Sequence, residues 1–355
     1  FNFVQVSTSH KAVGTWLFIG VAMILIQVIL GGVTRLTGSG LSITEWQPIL
    51  GALPPLNNQE WILAFEKYQT HTSQYQFVNS HFTLADFKQI YFWEWMHREW
   101  ARLLGIVFIV GFCYFFFKKK FTKDQLFPFM ILFLLGFLQG AIGWIMVKSG
   151  IDADNLYVSH IRLAIHFVMA TILGLYTLWF AVTTYFKDAY ITSGQTLIRA
   201  TIILILLVLI QLVFGAFIAG LKCANVAATW PSINGAYLPK SIFNFDLVYD
   251  KINIQFVHRT LAYLIFLLTI RWFLKARKLL SLQKNAILKN IYYLPLVFVC
   301  IQVALGITTL LSATTIKAGV FGLYEYLATA HQTVALLFIS SLVMLLAFFK
   351  KTSVQ

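Results

Sequence analysis

Apolar residues gather in eight long blocks, at about 12–33, 93–117, 125–147, 161–186, 198–220, 254–274, 292–312 and 326–349. Each is near the twenty-residue length that lets a helix cross about 30 Å of hydrocarbon. None shows the strict alternation of a membrane strand, and only helices or closed barrels satisfy their backbone polar groups in lipid. The pattern predicts an all-α integral membrane protein with eight transmembrane helices. The seventh block has the least distinct edges. Two long polar stretches, about 34–92 and 221–253, separate spans one and two and spans five and six.

A second pattern lies inside the blocks. Spans one, three, five and seven each carry a glutamine followed four residues later by a glycine: Gln27/Gly31, Gln139/Gly143, Gln211/Gly215 and Gln302/Gly306. That spacing puts both residues on one helix face. It implies close helix packing at the glycine, with the amide hydrogen-bonded across the interface. His97-Arg98 and His258-Arg259 recur in spans two and six, each followed by an alanine, Ala101 and Ala262. Trp46 and Trp230 fall at equal distances after their spans. These matches predict two tandem pseudo-symmetric four-helix bundles, residues 1–190 and 191–355, related by an axis along the membrane normal because four spans restore orientation.

Composition agrees with a membrane protein: 59% of residues are hydrophobic, 11% are charged, and mean hydropathy is +0.76. The net charge of +14 could suggest a nucleic-acid partner, but its placement excludes one. More than half of the 27 lysines and arginines crowd one set of short loops and helix ends, including Lys118–Lys120 with Lys123 and the cluster from Arg271 to Lys289. Basic short loops mark the cytoplasmic side. Both termini are therefore expected in the cytoplasm, with the long stretches outside. A bacterial inner membrane is favoured, and the mitochondrial inner membrane is the alternative. No cleavable signal peptide is legible, and the first span needs none to insert. Cys113 and Cys300 lie in apolar spans and Cys223 stands alone in its loop, so no disulfide is expected within either long loop.

Four histidines change the picture from scaffold to chemistry. His97, His166, His258 and His331 each lie just inside the start of an even-numbered span, all towards the outer face. A buried imidazole in a bilayer is costly unless something binds it, which makes it a candidate functional residue. Single histidines near span mouths are mostly structural; four at repeated positions point to two bis-histidine heme sites, each held in a bundle core. Arg98, Arg102, Arg162 and Arg259 sit at the same mouths, suited to pairing with heme propionates, although simple interface anchoring would also explain them. His10, His71, His81 and His160 lack this placement and are expected to be solvated or interfacial. His160 is turned about 240° from His166 on an ideal helix.

Glu94 precedes His97 by three residues, and Gln255 holds the equivalent place before His258. A carboxylate can ionise and accept protons where an amide cannot. The asymmetry points to chemistry at Glu94 in the first unit and a passive cofactor in the second. On residues alone, a diheme b-type electron carrier fits equally well. A di-iron hydroxylase fails for want of matching carboxylates, and a transporter for want of a broken-helix pair.

The chain resembles the heme A synthases. The resemblance rests on Gly31-Gly32-Val33-Thr34-Arg35-Leu36-Thr37-Gly38-Ser39-Gly40-Leu41-Ser42 leading to Glu45-Trp46, on Glu94 through Arg102, and on Val147-Lys148-Ser149-Gly150. It continues through Arg162-Leu163-Ala164-Ile165-His166, Gln255-Phe256-Val257-His258-Arg259 and Ala330-His331-Gln332. The resemblance implies eight spans in two halves, a permanent heme b on His258 and His331, and a substrate site at His97 and His166 with Glu94 beside it. Arg259 and Arg98 would serve the cofactor and substrate propionates. The implied reaction converts a ring methyl of heme O to a formyl group, by successive hydroxylations and loss of water, giving heme A for cytochrome c oxidase. Implied partners are heme O, the lipid bilayer, a heme O synthase and an electron-transfer protein, with a homo-oligomer also compatible. Residues 34–92 contain no cysteine, so the chain resembles the cysteine-free type.

Overall fold

A computed structural model of the protein describes residues 3–45, 50–151, 156–187, 191–281, 286–316 and 321–351. Trp46 of the paired tryptophans lies outside them. Among the described residues the long helices are α1 (Phe3–Leu36), α4 (Leu84–Phe117), α5 (Lys123–Ile151), α6 (His160–Tyr185), α7 (Gln195–Gly220), α8 (Lys251–Leu280), α10 (Leu294–Ser312) and α11 (Leu323–Phe348). Two short helices, α2 (Asn58–His71) and α3 (Ser73–Phe77), fill the first long connection, and α9 (Ala286–Ile291) leads into α10. Among the described residues, eight stretches are long and apolar enough to cross a membrane, matching the eight expected spans. The seventh begins as α9 and restarts at α10, where Pro295 near the first turn lacks the N–H that a continuous helix would need.

The helices are not equivalent in their surroundings. In the apolar stretch of α11, 56% of residues are buried by protein, against 6% in α4 and in α5. α11 is therefore central, packed on α10, α7, α6 and α1, while α4 and α5 present outer faces such as Ile106, Val110, Phe127, Met130 and Phe137. Faces of that composition are suited to lipid. α1 and α6 of the first half meet α7 and α11 of the second. Gln332 of α11 donates to the Val28 carbonyl at 2.8 Å, and a Cβ at Gly32 would lie only 2.6 Å from the Gln332 amide oxygen. A short parallel pair, β1 (Ile191–Ser193) with β2 (Phe349–Lys351), brings the middle linker and the end of α11 to the same face.

α4 starts well before its expected boundary. Thr83 and Asp86 form a reciprocal cap that begins the helix at Leu84. Its 34 residues span about 51 Å, more than the hydrocarbon requires. The protruding end carries Phe87 and Tyr91, which pack against Trp61, Phe65 and Tyr68 of α2. The first long connection is thus a small helical cap on α4 rather than an open loop. Its position fixes the segment around Leu41–Ile43 above the candidate site.

Candidate functional site

Each of the four histidines is held by the membrane-spanning helix that precedes its own. Gln27 Nε2 of α1 donates to the His97 carbonyl at 3.1 Å, Gln139 Nε2 of α5 to the His166 carbonyl at 3.2 Å, and Gln211 Nε2 of α7 to the His258 carbonyl at 3.0 Å. Only the amide NH2 can donate to a carbonyl, so these contacts fix the orientation of the side chain. Gln302 Nε2 of α10 reaches a His331 ring nitrogen at 3.3 Å. The glycine one turn further on makes room for the ring. A Cβ would lie 3.1 Å from the His97 ring at Gly31, 2.9 Å from His166 at Gly143, 3.3 Å from His258 at Gly215 and 3.0 Å from His331 at Gly306. The interhelical packing expected of the glutamine–glycine pattern is present. Its target, not legible from spacing, is the imidazole.

All four histidines line one cavity of about 890 Å³, whose walls are mostly apolar. That is at the upper end for small-molecule sites, in keeping with a large planar occupant. The His258 and His331 ring centres are 6.4 Å apart, and Nδ1 of each is buried without a hydrogen-bond partner. Two metal–nitrogen bonds of about 2 Å plus the ring radii account for such a separation. A buried polar atom usually finds a partner, and imidazole nitrogens left without one are suited to coordinating a metal. These residues fit a heme iron. His160, by contrast, is a correction to the expectation of an interfacial residue. It is buried, its ring nitrogen is 2.9 Å from the Val248 carbonyl, and it lies edge-on to Phe217 and Tyr249. It pins the second long connection to the start of α6.

The outer arginines have partners the sequence did not reveal. Arg98 donates to the Ile43 and Glu45 carbonyls, each at 3.0 Å, and to Glu94 Oε1 at 2.5 Å. Arg259 donates to the Ala227, Thr229 and Ser232 carbonyls and to Gln255 Oε1 at 2.5 Å. Arg102 pairs with Glu99, and Arg162 donates to the Ile145 carbonyl at 3.0 Å. Arg98 and Arg259 line the cavity, yet each is first a clamp between its helix and the connection above.

Glu94 and Gln255 do occupy equivalent places, and geometry explains why one is acidic. Glu94 Oε2 accepts from Ser42 Oγ at 2.8 Å and from the Ile43 N–H at 2.9 Å. Gln255 Nε2 instead donates to the Cys223 carbonyl at 2.6 Å and the Ala224 carbonyl at 3.2 Å. The first connection presents donors and the second presents acceptors. A carboxylate can satisfy only the former, and an amide NH2 the latter. The difference thus has a packing cause in addition to any chemical one.

The sequence pattern of the COX15-CtaA family, cytochrome oxidase assembly proteins, matches residues 14–343. The chain belongs to this family. Relatives named heme A synthase extend the likeness over nearly the whole chain. That of Flavobacterium johnsoniae is 36% identical over 344 residues, covering 94% of this chain and 96% of its own length. That of Flavobacterium psychrophilum is 38% identical over 356 residues, covering 97% and 99%, and that of Maricaulis maris 38% over 348, covering 95% and 96%. The family match takes in six spans entirely, most of the first and last, and all four cradled histidines, so the resemblance drawn from scattered motifs holds along the chain.

Proposed function

We propose that this chain is a heme A synthase, oxidising a ring methyl of heme O to the formyl group of heme A. The observation that carries the reading is the fourfold cradle, in which every candidate ligand histidine is set by a glutamine and a glycine around one apolar cavity. The chain works as two four-helix units, 1–190 and 191–355. His258 and His331 hold a resident heme b, and His97 and His166 hold the substrate. Bound heme b supplies one-electron redox chemistry. The glutamines keep the imidazoles in position, and the apolar walls exclude water from the reacting methyl.

Glu94 stands at the cavity wall with both oxygens held by donors, Ser42, Ile43 and Arg98. That environment suits a fixed carboxylate anion, which stabilises positive charge developing on the substrate as its methyl is oxidised. Arg98 and Arg259 hold the connections closed over their sites. Both termini lie in the cytoplasm of a bacterium, with the sites near the outer surface, an orientation that the short basic loops support. A heme O synthase supplies the substrate, and an electron-transfer partner exchanges electrons with the site. The test is expression of the chain in membranes that make heme O but no heme A. Appearance of heme A supports the function, and unconverted heme O with the protein present at normal level contradicts it.

A further inference from the structure

With Arg98 and Arg259 committed to the connections, a different arginine is left facing the cavity. Arg35 lies in the last turn of α1 and reaches across to the second half, where Nη2 donates to the Ala219 and Gly220 carbonyls at the end of α7. Both bonds use the same nitrogen. Nε is buried and has no hydrogen-bond partner. The guanidinium lies 5.9 Å from the Tyr157 ring, and Lys222 Nζ sits 3.8 Å over that ring. Among the described residues neither cation is paired with a carboxylate. Burial, and after it the Arg35 charge, pushes the Lys222 ammonium down to about 8.

The cluster has a defined position relative to the histidines. Ala219 is one helical turn beyond Gly215, against which His258 packs. Tyr324 is two turns before His331 on α11 and lines the same cavity as Arg35. Arg35 and Tyr324 therefore flank the mouth above the His258–His331 pair. The free Nε–H can give one charge-assisted hydrogen bond to a carboxylate, which Lys222 beside it would reinforce.

We propose that Arg35, assisted by Lys222 and Tyr324, binds a carboxylate of the tetrapyrrole held by His258 and His331. A residue of the first unit thereby completes the cofactor site of the second. This rests on the ligand assignment above, and the test separates the two. Full-length protein prepared without heme is titrated with protoheme and with its dimethyl ester, following the low-spin absorption. Wild type should bind the diacid at least about tenfold more tightly than the ester, the worth of a charge-assisted hydrogen bond. Arg35→Gln should lose that preference while binding the ester as wild type does, and Lys222→Gln should lose part of it. Equal weakening for both ligands in Arg35→Gln, or no change in the ratio in either variant, would overturn the proposal. His331→Ala should lose the low-spin absorption of the His258–His331 site and leave only that of the His97–His166 site; an undiminished band would overturn the ligand assignment instead.

Discussion

Adding one methyl group at Gly306 should displace His331 without touching any polar group. A Cβ there would sit 3.0 Å from His331 Cε1. Ordinary carbon contacts begin near 3.5 Å, so the ring must retreat by about 0.5 Å. Metal sites tolerate about 0.2 Å. Disturbance of the shell around a metal ligand typically costs ten- to a hundredfold in affinity, about 1.4–2.8 kcal/mol. Gly215→Ala, with 3.3 Å to His258 Cε1, should cost less. Gly140→Ala in α5 is the control, because nothing lies within 4 Å of its Cβ. Alanine favours a helix over glycine by about 1 kcal/mol, so folding should not suffer in any of the three. The assay is heme b affinity by titration, with protein quantity and helicity measured in parallel. Unchanged affinity in Gly306→Ala, or an equal loss in Gly140→Ala, would refute the cradle as a positioning device.

Three further outcomes follow from the same geometry. Glu94→Gln should leave heme b bound at His258 and His331 but cut heme A formation about a hundredfold or more, because the fixed charge is lost; heme A yield in membranes checks this. Gln255→Glu should lower thermal stability by about 1–3 kcal/mol, since a carboxylate cannot donate to the Cys223 and Ala224 carbonyls. Thr201→Val should have a similar cost without affecting activity. It removes the acceptor, at 2.8 Å, of the buried Trp272 indole N–H far from the histidines, and thermal unfolding of the solubilised protein measures the loss.

The spans were legible because lipid leaves a chain few choices: a run of about twenty apolar residues can do little but cross as a helix. The four histidines were legible for the related reason that polar rings are costly there. What stayed hidden depended on partners distant in sequence. The glutamine–glycine repeat was visible, but that Gln27 and Gly31 serve His97, 66 residues beyond Gly31, is a fact of packing. Glu94 and Gln255 read as a chemical contrast until Ser42 and Ile43 appeared opposite one, and two carbonyls opposite the other. α2 and the early start of α4 escaped notice because their apolar residues pack on each other outside the bilayer, mixed with polar ones. Arg35 sat within a quoted motif, yet its reach to α7 across the two halves left no mark in local spacing.

The most direct measurement is chromatographic separation of the hemes extracted from the purified full-length protein, produced in cells that also make heme O. A synthase with one cofactor site and one substrate site should yield heme b together with heme O or heme A. His258→Ala and His331→Ala should each remove the heme b while leaving the other heme. Two equivalents of heme b alone, from cells rich in heme O, would contradict the assignment of His97 and His166 to substrate and leave an electron carrier in its place.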